Sequence, residues 1–365
     1  MLILLSIIIL LFLFGFFYVK QAKFGRLPRG ERLEIIKKSP NYKDETFQNL
    51  SDTPGLTEGN TMIGVLFDFL FKKVEGKEPE SIIPGIKTDI KSLDLNDDIL
   101  IWFGHSSYYF QLNGKRFLVD PVFSGDVSPG LSSVKSFNGT DIYQVEDFPE
   151  IDYLLITHDH YDHFDYETII KLKDKVKTVI CGLGVGEHLE YWDYDTSKII
   201  EKDWYDSVEL SNQMKITLTP ARHFSGRTFK RNVSLWTSYV LESPDYKMFI
   251  GGDSGYDFHF KEIGEKFGPF DLAILENGQY NEKWRYIHTL PEEIHTVATE
   301  LKAKRFFPVH SSKFSLAYHS WKEPLEKVSQ LNKESDIPMI TPKIGEIVHL
   351  KDTTQTFSKW WESVE

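Results

Sequence analysis

The stretch Thr157-His158-Asp159-His160-Tyr161-Asp162-His163 gathers three imidazoles and two carboxylates within six positions, in a chain with 12 histidines among 365 residues. It comes after Ile151-Asp152-Tyr153-Leu154-Leu155-Ile156, an apolar run rich in β-formers, so the histidines sit where a buried strand ends. His158 and His160 are two apart on extended chain, so both can turn to one side. Asp162 and His163 come after the chain has begun to turn and can face a second point. One loop could therefore hold two metal ions, a reading that fits this density of histidine better than a solvated polar loop.

Other strand ends offer the same chemistry. Met214–Thr219 alternates like a strand and runs through Pro220 to His223. Met248-Phe-Ile leads into a small-residue turn that carries Asp253, and Arg305–Val309 ends at His310. Nearer the start, Ile99–Phe103 reads as a strand followed by Gly104-His105. Ser107–Leu112 and Lys115–Val119 flank Asn113-Gly114, a type I′ hairpin signal, and Asp120 ends that hairpin. His105 reads either as a core histidine or as a support behind the metal ligands. Asp120 could accept a proton from a ligand histidine and so fix its tautomer. His188, His259, His295, His319 and His349 lack cluster context and read as surface or packing residues. Gly182-Leu-Gly-Val-Gly186 lacks the lysine of a phosphate loop and reads as a strand-to-helix turn. The only cysteine, Cys181, excludes a disulfide framework and leaves any metal to nitrogen and oxygen ligands. With 42 basic against 54 acidic residues, a net charge of -12, the chain is a poor general nucleic-acid binder.

The H-x-H-x-D-H signature resembles the metallo-β-lactamase fold superfamily. The resemblance implies an α/β (α+β) fold, an αββα sandwich with two central mixed sheets, and one or two metals at one edge. Carried over residue by residue, it gives His158, His160 and His223 to a first ion, Asp162, His163 and His310 to a second, and Asp253 to a bridge. Two Zn²⁺ per chain are expected, with Fe or Mn able to occupy the same donors, sharing a hydroxide as nucleophile. His105 and Asp120 would stand behind these ligands.

Flanking segments narrow the resemblance. Phe24-Gly-Arg-Leu-Pro-Arg-Gly-Glu-Arg, Trp102-Phe-Gly-His-Ser, Asp120-Pro-Val-Phe-Ser, Gly252-Asp-Ser-Gly-Tyr and Lys261-Glu-Ile-Gly-Glu-Lys-Phe-Gly-Pro-Phe-Asp-Leu are similar to the N-acylphosphatidylethanolamine-hydrolysing phospholipase D family. The likeness runs from residue 20 to about residue 350. It implies a zinc-dependent phosphodiesterase that yields phosphatidic acid and an N-acylethanolamine. Asp162 and His288 would be its catalytic residues, His288 for phosphate positioning or proton transfer. A lactonase-like or other small-molecule metallo-hydrolase is the alternative. The chain departs from the family pattern at Asp159, often Asn, which is expected to point away from the metals and matter little. It departs again at Glu276-Asn-Gly-Gln-Tyr and His310-Ser-Ser-Lys-Phe.

The chain divides into residues 1–19, 20–95, 96–352 and 353–365: an apolar membrane anchor, an N-terminal extension and linker, the catalytic domain and a C-terminal tail. Lys20, Lys23, Arg26, Arg29 and Arg32 come directly after the apolar stretch, so the positive-inside rule predicts a cytoplasmic catalytic domain. The expected partners are a phospholipid substrate, the bilayer and a second copy in a homodimer, with no nucleic acid. Residues 61–73 are apolar and read as a short helix on the membrane or on the main domain. A long loop over 121–150, with Phe123, Leu131, Val134 and Phe137, and the aromatics Tyr256, Trp284 and Tyr286 are expected to line an acyl passage.

Overall fold

The computed structural model describes residues 2–128 and 134–365; Leu131 lies outside the described residues. Two mixed sheets face each other. The first has seven strands, in the order Ile347–His349, Ile99–Trp102, Tyr108–Leu112, Lys115–Val119, Ile151–Ile156, Val176–Gly182, Ile199–Lys202. Its first four strands pair antiparallel and the rest parallel. The second has six, in the order Phe306–Val309, Leu272–Glu276, Lys247–Ile250, Ser238–Glu242, Lys215–Thr219, Ser207–Glu209.

The layers arise from period-two side-chain alternation. Along Ile99–Trp102, Leu100 and Trp102 enter the core between the sheets, where Ile216, Leu241, Ile274 and Val309 meet them from the other side. Ile99 and Ile101 face outward and pack with Ile169, Leu172 and Leu189 of the helices Tyr166–Leu172 and Gly186–Tyr191. The second sheet is covered by His259–Phe267 and Ile294–Glu300 through Phe249, Ile263 and Val297. This is the expected αββα sandwich. Asn113 and Gly114 both take positive φ, 50° and 71°, as the predicted hairpin turn requires.

The N-terminal apolar stretch forms a helix, Leu2–Tyr18, of 17 residues. At 1.5 Å per residue it is roughly 26 Å long, short of the roughly 30 Å hydrocarbon core of a bilayer. Among the described residues no helix is long and apolar enough to cross a membrane. The membrane-spanning anchor expected over residues 1–19 is corrected accordingly. The chain after it packs on the sandwich: Ile36 and Phe47 share a small core with Leu183, Leu235 and Trp236. Residues 353–365 also bring Trp360, Trp361 and Val364 into the core between the sheets. The helix Met62–Phe71 begins at Thr61, whose hydroxyl accepts a hydrogen bond from the Gly64 amide at 3.1 Å. Its side chains Ile63, Leu66, Phe67 and Phe71 are exposed.

Candidate metal centre

The C-terminal ends of the strands open onto one edge of the sandwich, and their loops converge there. Donor atoms of His158, His160, His223 and Asp253 all lie within 4.8 Å of one another, as do those of His105, Asp162, His163 and His310. Asp253 stands between the two groups. Its Oδ1 is 3.2 Å from His163 Nε2; its Oδ2 is 3.2 Å from His310 Nε2, 3.7 Å from His223 Nε2 and 3.8 Å from His158 Nε2. Tertiary folding thus brings together all seven residues expected to be ligands, and adds His105, whose Nε2 is 2.9 Å from Asp162 Oδ2.

The backs of the imidazoles are held by oxygen atoms. Asp120, buried at the end of Lys115–Val119, accepts hydrogen bonds from the Thr157 amide at 2.8 Å, the Thr157 hydroxyl at 2.6 Å and His163 Nδ1 at 2.8 Å. His223 Nδ1 is 2.8 Å from the Ile287 carbonyl, and His158 Nδ1 is 2.9 Å from Thr157 Oγ1. A nitrogen that donates outward leaves the opposite nitrogen as an inward lone pair, which is what a cation needs. Two inward atoms, His163 Nε2 and Asp253 Oδ1, are buried 3.2 Å apart and make no well-aligned hydrogen bond to each other or to any other described group. Orphaned donors and acceptors of this kind, in a buried nitrogen and oxygen set, fit divalent cations. The backbone is strained here too: His105, Asp120 and His310 have φ of 53°, 40° and 71°, the left-handed region that side chains other than Gly rarely enter.

The electrostatics fit the same use. Burial pushes the imidazoles of His158 and His223 well below their usual range and that of His160 to about 4. Burial would raise the carboxyls of Asp162 and Asp253, but the neighbouring His163, with His310 beside Asp253, holds both well below the usual carboxylate range. Burial likewise opposes charge on His163 and His310. Asp253 overrides it, holding His163 well above its usual value and His310 at about 10. Neutral imidazoles beside ionised carboxylates make a cation site, and two of the imidazoles must shed protons to join it.

His288 also reaches the edge. Its ring stacks on that of His310 at 5.2 Å and 18°. Between them lies Glu276, a residue for which the sequence suggested no role. Its Oε1 is 3.4 Å from His288 Nδ1, its Oε2 is 3.4 Å from His310 Nδ1, and Oε1 accepts the Thr289 amide at 2.6 Å. Its sequence signal was present: like the other site residues, it ends an apolar strand, Leu272–Glu276. Asp159 points away from the donor groups as expected. It is fully buried, however, and accepts hydrogen bonds from the Gly226 amide and the Ser234 hydroxyl, both at 2.7 Å.

The site opens into a cavity of about 440 Å³. His160, Asp162, Asp253 and His288 form its polar floor; Leu56, Met62, Val65, Phe224, Ile287 and Leu316 supply apolar wall. Of the aromatics expected to line an acyl passage, Trp284 does. Phe123 and Phe137 are buried core residues, Tyr256 stacks on Phe260, and Tyr286 lies beneath the Arg222 guanidinium. Their apolar area is used for packing; the helix Met62–Phe71 provides wall in their place.

Residues 115–311 match the Beta-lactamase superfamily domain. An uncharacterized protein of Mycobacterium tuberculosis is 33% identical over 90% of this chain and 88% of its own length. The N-acyl-phosphatidylethanolamine-hydrolyzing phospholipase D 1 of Caenorhabditis elegans is 29% identical over 69% of this chain and 75% of its own. Igni18, a metallo hydrolase from Ignicoccus hospitalis, superposes with a TM-score of 0.53 at 19% identity, over 69% of this chain and 98% of its own. With the sandwich, the convergent strand ends and the two donor groups in view, the chain belongs to the beta-lactamase superfamily and is a hydrolase of the metallo-β-lactamase fold.

Proposed function

We propose that this hydrolase is a phosphodiesterase of phospholipase D type, cleaving N-acylphosphatidylethanolamine to phosphatidic acid and N-acylethanolamine. The observation that carries the reading is the cavity: a floor of metal donors beneath an apolar wall, with the exposed apolar helix Met62–Phe71 at its rim. A substrate with one phosphodiester and long acyl chains uses both halves. A small polar ester has no use for the rim. The similarity to the Caenorhabditis elegans enzyme supports the same substrate.

In this reading His158, His160 and His223 would hold one zinc ion and Asp162, His163 and His310 a second, with the Asp253 carboxylate facing both groups. When bound, the cations supply a water that is deprotonated near neutral pH and neutralise phosphate oxygens. His288 transfers its proton to the ethanolamine-side oxygen as the P–O bond breaks, with Glu276 holding the ring from its Nδ1 side. Residues 96–352 are the catalytic unit, and 20–95 an extension that closes one wall. The exposed residues of Met62–Phe71 contact the lipid surface from which substrate enters.

The test presents purified enzyme with N-acylphosphatidylethanolamine in mixed micelles and, separately, with soluble lactones, and identifies products by mass spectrometry. Phosphatidic acid and N-acylethanolamine are the expected products. Lactone hydrolysis with the phospholipid left intact would replace this reading with a lactonase.

A further inference from the structure

Asp159 sits between two ligands, His158 and His160, yet its carboxylate faces away from the donor groups into the protein. There it meets the rest of the centre. Oδ1 accepts from the Gly226 amide at 2.7 Å, three residues beyond His223 in the loop that supplies the third imidazole of the first group. Oδ2 accepts from Ser234 Oγ at 2.7 Å, where that loop returns, and lies 3.3 Å from His188 Nε2. The two ligand-bearing loops therefore share one buried carboxylate.

His188 links this carboxylate to the N-terminal extension. Its Nδ1 accepts a hydrogen bond from the backbone N–H of Arg26 at 3.1 Å. With Nδ1 an acceptor, the neutral ring carries its proton on Nε2, and that proton points at Asp159. The approach is close enough that residue 25 must be Gly: a Cβ there would lie 2.0 Å from His188 Nδ1, and φ is +71°. The segment is clamped around this contact, with Arg26 Nε 2.5 Å from the buried Glu187 carboxylate and Arg32 2.6 Å from the same group.

A second tie runs beside the first. Arg227 is fully buried, with its guanidinium 4.0 Å from the centre of the Tyr161 ring. Its Nη1 donates to the Asp159 carbonyl at 2.9 Å and to the Phe164 carbonyl at 2.8 Å, gripping the metal loop between its first two ligands and just after its last. Its Nη2 and Nε donate to the Lys23 carbonyl at 2.7 and 3.1 Å. The extension thus holds the loop through a side chain from the His223 loop as well as through His188.

We infer that Asp159 is a positioning residue of the metal centre, and that residues 23–26 of the extension act through it and through Arg227 to keep the two ligand loops in register. The inference rests on the metal reading above. An Asn here keeps the Gly226 amide on its Oδ1 and can offer Nδ2 to Ser234 Oγ, but it sets that NH₂ group against His188 Nε2–H. Ala keeps neither contact, and leaves the Gly226 N–H and the His188 Nε2–H buried without partners.

The experiment measures the rate at which a chromogenic chelator strips metal from the holoenzyme, alongside the thermal unfolding of the metal-free form. Asp159→Asn keeps the Gly226 tie but opposes His188 Nε2–H, so it should lose metal faster than wild type and more slowly than Asp159→Ala. Asp159→Ala and Gly25→Ala should lose it about 10–100-fold faster, the range expected when a partner that orients ligands is removed. Gly25→Ala leaves every residue of the centre in place, so it carries the test should Asp159→Ala not fold. Wild-type stripping rates in Asp159→Ala, or in a folded Gly25→Ala, would overturn the inference while leaving the metal reading intact. A wild-type protein with no metal to strip would overturn both.

Discussion

Replacing Asp120 by Asn removes one charge and leaves the side chain's volume almost unchanged, yet the geometry predicts a specific loss of metal. Asp120 faces three donors: the Thr157 amide, the Thr157 hydroxyl and His163 Nδ1. An amide offers only one oxygen. If that oxygen stays toward the Thr157 amide, the NH₂ group meets His163 Nδ1; turned the other way, the NH₂ group opposes the Thr157 N–H. The protein can relieve the first arrangement by giving up the Nδ1 proton of the His163 imidazolium and keeping the proton on Nε2, which lies 3.2 Å from Asp253 Oδ1 and can donate to it. The metal-free fold then keeps its hydrogen bonds, but freeing the inward nitrogen for metal puts the remaining ring proton back on Nδ1, against the Asn NH₂ group. Metal affinity at the second group should fall about 10–100-fold, roughly 1.4–2.8 kcal/mol, with little change in metal-free stability. Asp120→Ala gives the opposite balance. It orphans two buried N–H groups at about 1–3 kcal/mol each, so roughly 2–6 kcal/mol of folding stability is lost. Chelator titration of metal content, paired with denaturant unfolding of the stripped protein, measures both. Equal chelator midpoints for wild type and Asp120→Asn would refute the tautomer argument.

His288→Ala should lower kcat on the phospholipid by about 10²–10⁴-fold with metal content unchanged, checked by metal analysis on the assayed sample; loss of metal instead would make His288 a ligand. The pH dependence of the metal-free protein is set by the raised groups. His163 and His310 exceed the unfolded value of about 6.5, so their contribution to stability is complete below that pH. It is lost as pH rises through the folded values, about 10 for His310. Asp162 and Asp253 are lowered, so their contribution is present above about pH 4 and is lost in acid as pH falls through the folded values. Unfolding midpoints of stripped protein should therefore fall between about pH 7 and 10. Because both imidazoles must deprotonate to bind, zinc uptake at pH 7 should release roughly two protons, measurable by calorimetry in buffers of different ionisation enthalpy. A midpoint that rises over this window would contradict the assignment.

The layers and most of the centre were legible in the chain because each depends on local pattern. Alternating apolar strands, an Asn-Gly turn and ligands placed just after strand ends are all short-range signals, and each of the expected metal ligands comes to one edge. The roles of Glu276 and Asp159 were not. A carboxylate reads the same whether it faces solvent or lies buried between two histidines, and only the packing of Leu272–Glu276 beside Phe306–Val309 brings Glu276 between His288 and His310. The acyl-passage aromatics failed for a related reason: Phe123 and Phe137 have the composition of a ligand wall and of a core alike, and burial assigned them to the core.

The N-terminal stretch shows the same division. Its sequence determines an apolar helix, since nothing in residues 2–17 interrupts one, but length against bilayer thickness comes from the observed limits of Leu2–Tyr18. Residues 20–95 read as an extension and linker, and their contacts are set entirely by tertiary structure. The Arg26 amide reaches His188, and the Lys23 carbonyl reaches Arg227, across separations of 162 and 204 residues. By itself the sequence determined which atoms could bind metal, because donor chemistry belongs to residue type and its spacing along a strand end. Which atoms hold those donors in place was decided only by the fold, because a hydrogen bond between residues so far apart in the chain leaves no periodic trace in it.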